Sequence, residues 1–162
     1  MARYGSYETV REILRSASAI VSTARKSDSD EPDKYAVKFF QPFAHFHDDK
    51  PLTELAQPFL ESARTQQTLS AAGASHWASV HNMGEVADGA YYVTDYYSRS
   101  LEHFYLGKAD LPAATLHAVV DAVVQGLLEL KERANRPHGN LKASNVFLTD
   151  RGTADCPDVV LS

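Results

Sequence analysis

The stretch Leu130-Lys-Glu-Arg-Ala-Asn-Arg-Pro-His138-Gly-Asn-Leu-Lys-Ala-Ser-Asn145-Val-Phe-Leu-Thr149 decides how the chain is read. It passes from the end of a helical pattern, through a polar loop, into a short apolar run. Upstream, Leu116, Val119, Val120, Val123, Val124, Leu127 and Leu128 recur at three- and four-residue spacing. With Asp110 as N-cap and Pro112 in the first turn, this predicts one long helix over residues 110–133. At 1.5 Å per residue such a helix would be roughly 35 Å long and must pack along most of its length. Downstream, residues 146–149 and 158–161 read as two short strands split by the turn Asp150-Arg-Gly152.

Further towards the amino terminus, residues 19–24 and 35–40 are short, β-branched or aromatic, and flank the polar run Lys26-Ser-Asp-Ser-Asp-Glu-Pro-Asp-Lys34. They predict an antiparallel hairpin with a solvated loop. Pro42, Pro51 and Pro58 make residues 41–58 a loop with at most a short helical turn. A helix is expected from about Pro58 to Ala72, stopped by Gly73, with Leu60, Ala63, Gln67 and Ala71 on one side. Residues 78–86 and 90–97 predict two more strands joined at Ala87-Asp-Gly89. The expected fold class is α+β.

Composition narrows the function classes. The 162 residues are 44% hydrophobic and 23% charged, the balance of a chain that buries a core. Sixteen basic against twenty-one acidic residues give a net charge of −5, which offers no general basic surface, so nucleic acid is not an expected partner. A lone Cys156 forms neither an internal disulfide nor a cysteine-rich zinc cluster and suits a reducing, cytoplasmic compartment. No stretch approaches the ~20 uninterrupted apolar residues of a membrane span, and the polar start lacks the apolar run of a secretion signal. His45-Phe-His47-Asp-Asp49 reads as an incidental polar loop and is assigned no metal.

With these elements in order, the chain resembles a protein kinase. Tyr35-Ala-Val-Lys38 is similar to the family's V-A-I-K strand. Tyr92-Val-Thr-Asp95 resembles the last small-lobe strand entering the hinge, and His138-Gly-Asn-Leu-Lys-Ala-Ser-Asn145 resembles the catalytic loop H-R-D-L-K-x-x-N. The resemblance implies a small lobe of antiparallel sheet plus one helix over residues 1–95. A hinge and the start of a helical large lobe would follow over residues 96–162, ending where the family places its D-F-G aspartate.

The same resemblance assigns roles. Lys38 would face the phosphates of ATP, paired with Glu61 or, if Gln67 holds that position, hydrogen-bonded to a neutral amide. Val21 and Ala36 would roof the adenine, Thr94 would be the gatekeeper, Asp95 and Tyr97 would offer hinge groups, and Phe147 would form the floor. Leu14, Ser16 and Ala19 stand where phosphate-loop glycines are expected, and side chains there obstruct close backbone approach to phosphate. Asn145 would be the magnesium ligand and Lys142 a positioning cation. Asn140 replaces the aspartate that orients and deprotonates the substrate hydroxyl, and an amide has no basic lone pair at neutral pH. Gly139 replaces the neighbouring arginine.

The implied function is therefore a catalytically impaired kinase-like domain, a pseudokinase, acting as a binding or regulatory scaffold with ATP and magnesium as weak cofactors at most. An active serine/threonine-type kinase and an ATP-sensing module are the alternatives. The expected partner is another protein or the remainder of the polypeptide. Val119, Val123, Leu127 and Leu130 on the long helix are expected to be exposed and to drive self-association.

Overall fold

The computed structural model describes residues 1–16, 18–29, 32–41, 51–107, 110–149 and 158–162. The His45–Asp49 motif, the turn at residues 150–152 and Cys156 lie outside the described residues. The chain divides into two compact units, one of Met1–Gln67 with Ser79–Tyr96 and the other of Thr68–Ala78 with Tyr97–Ser162.

The first unit is an antiparallel sheet of six strands in the order β1-β2-β3-β4-β6-β5. Its strands are β1 (Arg3–Tyr4), β2 (Tyr7–Arg15), β3 (Ala19–Lys26), β4 (Tyr35–Phe40), β5 (Val80–Val86) and β6 (Gly89–Asp95). Strict alternation along β4 sends Tyr35, Val37 and Phe39 to one face, where they pack with Tyr7, Ala24, Tyr91 and Val93. The opposite face carries Phe40, Ala90 and Tyr92, which are covered by helix α1 (Leu52–Ala71) through Ala56, Phe59, Leu60 and Ala63. Phe59 lies 5.4 Å from the Phe40 ring and 5.0 Å from that of Tyr92. The α+β class with an antiparallel sheet and one covering helix agrees with the sequence.

Several element boundaries differ from expectation. α1 begins at Leu52, so Pro58 is inside the helix and does not start it. A proline there forgoes one hydrogen bond, a loss the apolar seam of Ala56, Leu60 and Ala63 against the sheet offsets. Gln66 is buried one turn further along, whereas Gln67 is exposed. β2 was not anticipated as a nine-residue strand. Two irregularities in its pairing with β3, between Thr9 and Arg11 and between Glu12 and Leu14, destroy the period-two pattern that would have announced it.

The second unit is built on helix α3 (Ala113–Ala134) and a small sheet in the order β7-β8-β9. Strands β7 (Arg99–Ser100), β8 (Val146–Leu148) and β9 (Val159–Leu161) pair antiparallel, and a six-residue helix, α2 (Leu101–Leu106), precedes α3. The expected N-cap Asp110 is displaced: Pro112, extended at ψ 145°, is the last residue before the helix. Proline disfavours helical geometry in the residue before it, so the helix starts only afterwards. At the other end Asn135 closes the helix in the left-handed region at φ 47°, its N–H bonded to the Lys131 carbonyl.

Val119, Ala122 and Leu130 of α3 pack with Leu69, Trp77, Val146, Leu148, Val159 and Leu161 in one core. Burying each leucine or valine contributes about 1.5–3 kcal/mol. The stripe expected to be exposed is therefore partly interior: Val119 and Leu130 are buried, Val123 and Leu127 half-buried. A helix apolar on two adjoining arcs gives no periodic signal for which of the two faces the core.

Candidate functional site

Four of the expected site residues of the first unit share one face of the sheet, whereas Asp95 stands opposite Tyr35 on the other and Glu61 is on α1. Val21 and Lys38 are direct cross-strand partners, as are Ala36 and Thr94. Alternation puts all four on the α1-covered face. Lys38 is half-buried, with Nζ 5.6 Å from the centroid of Tyr92, its cross-strand neighbour on β6. Such a cation over an aromatic face gains about 0.5–2 kcal/mol. Among the described residues Lys38 has no carboxylate partner.

Neither candidate for that partner is engaged with it. Glu61 sits in the middle of α1, not in its first turn, and is exposed. Gln67 donates from Nε2 to the Val80 carbonyl at 3.3 Å. The residue that sequence reasoning passed over is Gln66, only 4% exposed on the seam of α1. The three- and four-residue spacing from Ala56 through Leu60 and Ala63 would have pointed to it. Thr94 is buried and donates to the Asp95 carbonyl at 3.1 Å. Asp95 pairs with His81, Oδ1 to Nε2 at 2.7 Å, and the His81 ring meets Tyr35 edge-on at 5.3 Å.

At the β2–β3 connection, Leu14 stands opposite Val21 in the ladder and is half-exposed. Ser16 closes the turn: its N–H donates to the Ala19 carbonyl at 2.8 Å and its hydroxyl accepts from the Ala19 N–H at 3.1 Å. The Ser18 carbonyl accepts from the Gln41 N–H at 3.1 Å, tying the connection to the end of β4.

The second unit holds the other residues. In the loop before β8, Gly139 is in the left-handed region at φ 76°. The Asn140 N–H donates to His138 Nδ1 at 3.3 Å, which leaves the imidazole proton on Nε2 when the ring is neutral. The His138 ring stacks on Trp77 at 5.5 Å, and Trp77 Nε1 donates to the Gly126 carbonyl at 3.1 Å. Asn145 is buried, and its Nδ2 donates to the Asn140 carbonyl at 2.8 Å. Its own carbonyl accepts from the Ser162 N–H at 3.1 Å. Asn145 is thus the staple of the loop, while Asn140 and Lys142 are exposed.

Tyr97 and Phe147 stack on each other with centroids 5.3 Å apart and planes 24° from parallel. A flat ligand seated on Phe147 from that side would have to displace the tyrosine ring.

Asn145 is the magnesium ligand that the resemblance implies. Magnesium favours octahedral oxygen coordination with one or more carboxylates. Among the described residues no three His, Cys, Asp or Glu side chains converge, and Asn145, its amide nitrogen already bonded, offers Oδ1 alone. The sequence matches no family model and no curated protein.

Proposed function

We propose that the chain is a catalytically impaired kinase-like domain that serves as a binding or regulatory scaffold for another protein or for further parts of its own polypeptide. The observation that carries this reading is Asn140. A carboxamide stands at the loop position where the resemblance expects a general base, on a loop fastened by Asn145 and followed directly by β8. An amide orients a hydroxyl but does not accept its proton. The Tyr97–Phe147 stack supports the same reading.

An ATP-sensing module is the second reading, favoured by the shared face of Val21, Ala36, Lys38 and Thr94. Thermal unfolding with and without ATP and magnesium separates the two. A ligand binding only the folded state at a hundredfold excess over its Kd stabilises by about 2.7 kcal/mol. The scaffold reading expects no shift. A clear rise that Lys38→Ala removes would establish the sensor, and ATP-dependent labelling of protein that Lys38→Ala abolishes would overturn both in favour of an active kinase.

A further inference from the structure

α3 is apolar on two adjoining arcs, and its own unit uses only one. Val119, Ala122, Gly126 and Leu130 are buried, while Leu116, Val120, Val124 and Leu128 are 49%, 54%, 47% and 47% exposed. These four follow one another at four-residue steps, a row about 18 Å long. Exposed apolar rows of this kind mark contact surfaces.

The row itself argues for what covers it. It reads Leu-Val-Val-Leu in both directions, centred on Ala122. A two-fold interface requires a surface complementary to itself. Two antiparallel copies of this helix set Leu116 of one against Leu128 of the other, and Val120 against Val124. That arrangement opposes the helix dipoles and brings the Asp110 end of one copy towards the Lys131 end of the other. Parallel copies would place like ends together.

A bilayer fits less well. By length and composition α3 is long and apolar enough to cross one. Its second arc, however, is committed to the core and to the Trp77–Gly126 hydrogen bond. Lying flat on anionic lipid asks for a basic polar face, whereas the polar arc here carries Asp121, Gln125 and Glu132.

We propose that the chain self-associates as an antiparallel two-fold pair through Leu116, Val120, Val124 and Leu128 of α3. This goes beyond the scaffold reading and does not depend on it. Four half-exposed side chains fall short of the ~800 Å² per partner of a standard complex, so the pair is weak and concentration-dependent.

Sedimentation across a hundredfold concentration range should move the mass from 17.8 kDa towards twice that value. Val124→Glu, and separately Val120→Lys, should hold it at the monomer with an unchanged circular dichroism spectrum, since both positions are surface positions. In a Cys156→Ser background, an equimolar mixture of Leu116→Cys and Leu128→Cys chains should oxidise to a mixed disulfide dimer, several-fold faster than either alone. A monomer at every concentration overturns the proposal. So does Leu116→Cys coupling to itself as fast as in the mixture, or binding to phosphatidylcholine or phosphatidylserine vesicles that the two charge variants abolish.

Discussion

Gly139 shows how a single position fixes a loop. Its φ of 76° lies where a Cβ is disfavoured, yet no heavy atom comes within 4 Å of the place a Cβ would occupy. The constraint is conformational, not steric. Gly139→Ala should therefore destabilise by about 1–2 kcal/mol, and Gly139→Asn by less, because asparagine tolerates this region. Denaturant midpoints for the two variants check this, and equal losses would mean that backbone strain is not the cause. The sequence displays the glycine where the resemblance expects arginine, but not its dihedral angle. Strand alternation makes legible that Lys38 shares a face with Ala36, whereas the register that adds Val21 and Thr94 is seen only in the sheet. The Tyr97–Phe147 stack is not legible, since fifty residues separate the rings and no local pattern couples them.

Among the elements, α3 is held where its backbone comes closest to its neighbours. A Cβ added at Gly126 would stand 2.7 Å from Leu161 Cδ1 and 3.3 Å from His76 Cβ. Helix propensity favours Gly126→Ala by about 1 kcal/mol, but overpacking costs about 1–3 kcal/mol, and Leu161 is fully buried with little room to yield. The net expectation is a loss of about 1 kcal/mol in equilibrium unfolding, and a gain would show that Leu161 repacks freely. β3, β4 and the β5–β6 hairpin are legible because β-branched and aromatic runs bounded by turn residues mark strands, even where, as in β6, both faces are buried. β2 is not, because its irregularities erase the period. The start of α1 is not legible, because proline marks a boundary locally and tertiary burial overrides it. The arc of α3 that stays exposed was misassigned because valine and leucine occupy both arcs.

At the scale of the whole molecule, pH reports on the aromatic cluster of the first sheet. Tyr7 is raised above its ordinary value by burial first and then by Tyr35 and Asp95, and Tyr4 by burial and then Asp88. A phenol held protonated more firmly in the folded state contributes stability that is complete below its unfolded value near 10. That contribution is lost as pH rises through the higher folded value. Tyr4 and Tyr7 should thus ionise late, together with alkaline unfolding, and Tyr7→Phe should move that transition to higher pH. Phenolate absorbance followed alongside circular dichroism tests it, and complete ionisation of all eight tyrosines before unfolding would contradict it.

The segment around Trp77 is joined by main-chain hydrogen bonds to Leu161, His76 and Ala78 each bonding that one residue. During synthesis at about 5–20 residues per second, Trp77 leaves the ribosome several seconds before Leu161 exists. Until then its indole and the apolar arc of α3 lack the strand that seals them. Of the strands described in this unit, β9 is made after β7 and β8, and the Trp77 segment closes only once it is present.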